Sequence, residues 1–94
     1  MVKVEEKPLE ERTRESKLSD LAEMTKKLFG DKRIGIVGTR GFTVTGGTKD
    51  IYINWPFETL KVTVGHPNDF DTGYAMAAAY EGKIGQEVVL KKDY

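Results

Sequence analysis

Between Ile34 and Val64 the chain repeats one motif. Short runs alternate apolar and polar residues, and turn-forming residues interrupt them every few positions. Phe42-Thr43-Val44-Thr45, Ile51-Tyr52-Ile53-Asn54-Trp55 and Leu60-Lys61-Val62-Thr63-Val64 each have period two, the spacing of a strand with one face on a core. Arg33-Ile34-Gly35-Ile36-Val37 is a further β-branched run. Gly38-Thr39-Arg40-Gly41, Gly46-Gly47 with Lys49-Asp50, and Pro56 separate them. Connections this short leave no room for crossovers, so the runs read as an antiparallel meander of three or four strands. One face should carry Ile34, Ile36, Phe42, Val44, Ile51, Ile53, Leu60, Val62 and Val64.

A buried sheet face needs a cover. From Ser16 to Phe29, Leu18, Leu21, Ala22, Met24, Thr25, Leu28 and Phe29 form one helical stripe, with Lys17, Asp20, Glu23, Lys26 and Lys27 opposite. Gly30 is a natural residue for leaving that helix. A second helix is expected over the alanine-rich stretch from Tyr74 to Tyr80, capped by Asn68 or Asp71 and stopped at Gly82. Ile84 to Leu90 reads as a last short strand. The expected fold is α+β, in the order α-β-β-β(-β)-α-β, with both helices on one face of the sheet. Residues 1–15 are charge-dense and read either as a flexible tail or, with Pro8 in a first turn, as the start of a long helix. Residues 16–94 form the single domain.

Cysteine is absent from the 94 residues, which excludes disulfides, thiolate catalysis and cysteine-held metals. No run approaches a membrane span or a signal peptide, so a cytoplasmic protein is expected. The 15 basic and 15 acidic residues balance, without the basic excess usual in duplex binders. His66 is the only histidine, and a hydrogen bond that holds its turn is the simpler role for it. Asp69 and Asp71 read as helix-capping groups, and no spacing pairs Glu58 with Asp69 for acid–base work. No cofactor, metal or enzymatic activity is expected.

Trp55 and Phe57 read either as closing the edge of the core or as part of an exposed patch. In the second case the binding surface singled out is the Trp55-Pro56-Phe57 corner together with Tyr52 and Arg40, because exposed aromatic and arginine side chains anchor protein partners. The alternative is a nucleic-acid surface made of Arg40, Lys32, Arg33, Lys49 and Lys61 around the strand loops. A homodimer through a sheet edge near Phe42 or Val88 is also open.

Val62-Thr63-Val64-Gly65-His66-Pro67-Asn68-Asp69-Phe70-Asp71, followed by Gly73, Ala75 and Ala77, resembles a module of small uncharacterised bacteriophage and prophage proteins. In that module a strand enters a Cys- or His-Pro-x-Asp turn, then Phe-Asp and an alanine-rich helix; Ile84-Gly85-Gln86-Glu87-Val88 resembles its following strand. Here Asp69 directly abuts Phe70, where the module has one more residue. The resemblance implies a phage-type accessory protein that acts on a host protein in the host cytoplasm. Gly38-Thr39-Arg40-Gly41 resembles the G-x-x-G loop of KH domains, although it joins strands instead of helices. The helix–three-strand–helix order is similar to the double-stranded RNA-binding domain, but Asp71-Thr72-Gly73-Tyr74 stands where that family grips phosphate with lysines.

Overall fold

The computed structural model describes residues 9–30, 33–35, 40–56 and 58–94, and only the backbone of residues 9–13 and 33. Phe57, Lys32, Ile36 and the Gly38-Thr39 half of the glycine loop lie outside the described residues, as do residues 1–8 of the expected tail. The elements are α1 (Leu9–Leu28), β1 (Arg33–Ile34), β2 (Gly41–Thr45), β3 (Ile51–Asn54), β4 (Leu60–Val64), a 3₁₀ turn (Pro67–Asp69), α2 (Phe70–Ile84) and β5 (Val88–Lys92).

The architecture is α+β, as expected, but the sheet is mixed. Its strands lie in the order β1-β2-β3-β4-β5. The first four pair antiparallel, with Val44 opposite Ile51 and Ile53 opposite both Phe42 and Val62. β5 pairs parallel to β4, from Leu60 opposite Val88 to Val64 opposite Lys92. The expectation of a purely antiparallel meander is corrected for a simple reason. α2 carries the chain back along the sheet, so the next strand must start from the same end as β4.

The expected apolar face is the core. Phe42, Val44, Ile51, Ile53, Leu60, Val62 and Val64 are buried, with Val88 beside them and Ile34 packed at the margin. α1 covers the β1–β2 side and α2 the β4–β5 side, and the two helices also touch each other. α1 begins well before the apolar stripe does, and Leu28, expected in that stripe, is exposed. Gly30 leaves the helix with φ +41, a region that other residues enter at a cost. α2 runs through Gly82 and stops one turn later than expected. Gly85 has φ +71 there, and its N–H bonds the Glu81 carbonyl. The extra turn packs Ile84 against the core and shifts β5 to Val88–Lys92.

Close approach of α2 to the sheet depends on Gly73, where a Cβ would run into Val64. Between the helices, Tyr80 is fully buried and meets Phe42 edge-on at 6.4 Å. Its hydroxyl lies 2.5 Å from the Thr25 hydroxyl, which in turn donates to the Leu21 carbonyl at 2.7 Å. A carbonyl only accepts, so the Thr25 proton is committed to Leu21 and the Tyr80 hydroxyl must be the donor to Thr25. Burial pushes the Tyr80 hydroxyl up to about 12.

Candidate functional site

The residues singled out from the sequence do not share one surface. Along β3, Ile51 and Ile53 turn inward, Tyr52 and Asn54 turn outward, and Trp55 turns inward again. Tyr52 therefore stands on the open face, 55% exposed, and Trp55 lies on the helix side, 5% exposed. Of the two readings of Trp55, the structure shows the core one, so it cannot serve as an exposed anchor. Tyr80 is likewise buried.

What encloses Trp55 is cationic. Arg14 and Lys17 of α1 lie over its ring, at 5.7 and 6.0 Å from the centroid. The Arg14 and Arg40 guanidiniums both donate to the Pro56 carbonyl, at 3.3 and 3.4 Å. The Trp55 backbone N–H donates to the Arg40 carbonyl at 2.5 Å, which fixes Arg40 beside the corner. The Trp55 indole nitrogen is buried without a hydrogen-bond partner. Beside Pro56 opens a groove of about 430 Å³ lined by Pro56, Glu58, Thr59 and Lys61. Gln86 donates to the Glu58 carbonyl at 3.0 Å and ties the groove to the end of α2. Arg40 and Trp55 are thus brought together, along with two cations that are not among the residues singled out from the sequence. Arg14 and Lys17 lie one helical turn before the buried Leu18 and Leu21, so extending the stripe backward would have placed both on the core-facing side.

Of the five cations of the nucleic-acid alternative, three have described side chains. Arg40 and Lys49 lie at opposite ends of β2, Lys61 is on the open sheet face, Lys32 is outside the described residues, and only the backbone of Arg33 is described. Gly41 has a packing role in this loop, since a Cβ there would strike the Ile53 carbonyl. At the start of α2 the first turn carries Asp71 and a buried Gly73, an acidic and closely packed end instead of a phosphate grip.

Asp69 does something unforeseen. It occupies the N-cap position of α2 but caps no helix N–H. Its buried carboxylate accepts from the Thr48 and Lys49 backbone N–H groups, at 2.9 and 2.8 Å, and so clamps the β2–β3 turn to the start of α2. His66 Nδ1 accepts from the Asn68 N–H at 3.1 Å and holds the 3₁₀ turn, the structural role expected of it. Glu58 and Asp69 lie at opposite ends of β4. Among the described residues, no three His, Asp or Glu side chains are grouped to hold a metal ion, and no helix is long and apolar enough to cross a membrane. β1 and β5 are the terminal strands of the sheet: β1 pairs β2 at Val44 and Thr45, and β5, which starts at Val88, carries Lys91 and Lys92 along its edge.

No family model matches this chain, and neither a curated protein nor a solved structure matches it.

Proposed function

We propose that this chain is a small, non-catalytic protein–protein interaction module of the phage-accessory type. In this reading it binds and modulates a bacterial host protein through the basic corner. One observation carries it. Arg14, Lys17 and Arg40 converge on Trp55 and Pro56 at the lip of a groove, two of them held by the same carbonyl. Arginines anchored in this way give up less freedom on meeting a carboxylate than arginines that wave in solvent. Arginine on a well-packed aromatic base is also a frequent composition for the energetic centre of an interface. The partner is then a protein with an acidic patch, and Glu58 on the groove wall discriminates against partners whose acidic residues reach too far.

The test is a pull-down from nuclease-treated bacterial lysate, followed by titration of the retained protein against wild type and a Lys17→Glu/Arg40→Glu variant. The expected result is a partner that survives nuclease and binds the charge-reversed variant at least about tenfold more weakly, at an unchanged melting temperature. Retention that vanishes with nuclease, or a partner indifferent to both substitutions, refutes the assignment.

A further inference from the structure

The sheet face turned away from the helices has a composition of its own. Register sets Thr43, Tyr52, Thr63 and Lys91 side by side across β2 to β5, with Asn54, Lys61 and Val89 in the next row. Tyr52, Asn54, Lys61, Val89 and Lys91 are exposed. Both helices pack on the other face, so among the described residues no element covers this one.

Charge is sorted across the fold. The formal net charge of the chain is zero, yet β1 to β5 contain no aspartate or glutamate. The carboxylates sit on the helices, as with Asp20, Glu23 and Glu81, or just beyond strand ends, as with Asp50, Glu87 and Asp93. A protein of zero net charge therefore presents a cationic sheet face with threonines and, among the described residues, one exposed ring, Tyr52 on the middle strand.

We propose that this face binds single-stranded nucleic acid, with one base stacked on Tyr52 and the neighbouring phosphates on Lys61 and Lys91. Strands in a sheet are about 4.8 Å apart, which sets Lys91 roughly 10 Å across the sheet from Tyr52. Lys61 is its diagonal neighbour, about 7–8 Å away. Both ammonium groups thus lie on the β4–β5 side of the ring, at distances that side chains and a flexible strand can span together. Thr43, Thr63 and Asn54 add hydroxyl and amide groups that hydrogen-bond base edges or sugars. A duplex is disfavoured, because among the described residues no helix or ribbon projects from this face to enter a groove. A protein partner is disfavoured here because, among the described residues of this face, Tyr52 and Val89 are the only sizeable exposed apolar side chains, too few for the apolar centre of a protein interface. Lys61 also lines the groove beside the basic corner, so the two surfaces adjoin there. Tyr52 and Lys91 belong to this face alone, and Tyr52→Ala tests it without touching the corner.

The test is fluorescence anisotropy of a labelled oligothymidylate of about a dozen nucleotides, within the usual site size of one small binding domain. It is titrated with the whole chain at salt concentrations from about 50 to 200 mM. Micromolar binding at low salt is expected. Tyr52→Ala should weaken it roughly 5- to 150-fold, the range for loss of one stacked base, while Tyr52→Phe retains it. Lys61→Gln with Lys91→Gln should weaken it and flatten the slope of log affinity against log salt by about 1.4, or 0.7 for each phosphate of a single strand that is no longer neutralised. Circular dichroism confirms that each variant is folded. The proposal is overturned by no anisotropy change at low salt, by equal affinity for folded Tyr52→Ala, or by a labelled oligoglutamate that binds as tightly as the oligonucleotide.

Discussion

Truncating Asp69 tests whether a single carboxylate joins the two halves of the domain. Asp69→Ala deletes two charge-assisted hydrogen bonds, to the Thr48 and Lys49 amides. Such bonds contribute about 1.5–3 kcal/mol each, so the gross loss is roughly 3–6 kcal/mol. Residues 46–50 are exposed, and water can replace part of what is lost, so the lower end, about 3 kcal/mol, is expected. In a domain of this size that lowers the melting temperature by roughly 12–24 °C. Gly47 supplies the control. A Cβ there would lie 2.6 Å from Asp69 Oδ1, so Gly47→Ala pushes directly on the clamp. Alone it should cost about 1–3 kcal/mol; in the Asp69→Ala background the obstacle is gone and the cost should fall to near zero. Urea unfolding of the four proteins gives the coupling energy, and hydrogen exchange at the Thr48 and Lys49 amides localises it. The reasoning is refuted if Asp69→Ala lies within about 0.5 kcal/mol of wild type, the usual range for surface substitutions. It also fails if Gly47→Ala costs the same in both backgrounds.

Other outcomes follow from the packing. Trp55→Ala should cost about 3–5 kcal/mol as a core deletion, seen as a large drop in melting temperature and not as a clean loss of binding by a folded domain. Gly73→Ala should destabilise by about 1–3 kcal/mol in thermal melts despite alanine's better helix propensity, because the methyl meets Val64. The raised Tyr80 hydroxyl sets a pH window. Below pH 10 the group is protonated folded and unfolded alike and adds no pH dependence. From about 10 to about 12 only the unfolded chain gives up the proton, so stability falls by roughly 2–3 kcal/mol across that interval. Urea unfolding of wild type and Tyr80→Phe at pH 9 to 12 isolates the effect, which the variant should lack.

Period-two alternation places the described core residues of β2, β3 and β4 on their correct face, because burial of one sheet face leaves the pattern in the sequence itself. Helix ends were less legible. Gly82 and Gly85 are both plausible stops, and only Ile84 packing against the core selects the second. The parallel pairing of β5 was hidden, since alternation reports which face a residue occupies and says nothing of strand direction. Asp69 sits in capping chemistry locally, and its partners lie some twenty residues away, so no local pattern announces the clamp. Trp55 was ambiguous for another reason. A tryptophan before a proline at a strand end suits a closed core margin or an exposed anchor, and the deciding neighbours were not legible: Arg14 comes from a segment that reads as tail, and Lys17 reads as lying opposite the apolar stripe.

The mixed pairing also sets a sequence of events in time. β1 to β4 join neighbours through short loops, so their closure entropy is small and they can zip early. β5 reaches β4 only after the whole of α2 has formed and docked. Until then β4 is a bare edge carrying Leu60, Val62 and Val64, and two half-built chains can pair through it. Refolding at high protein concentration should therefore lose yield to aggregates through this edge, while the finished domain, with Lys91 and Lys92 along its rim, stays monodisperse.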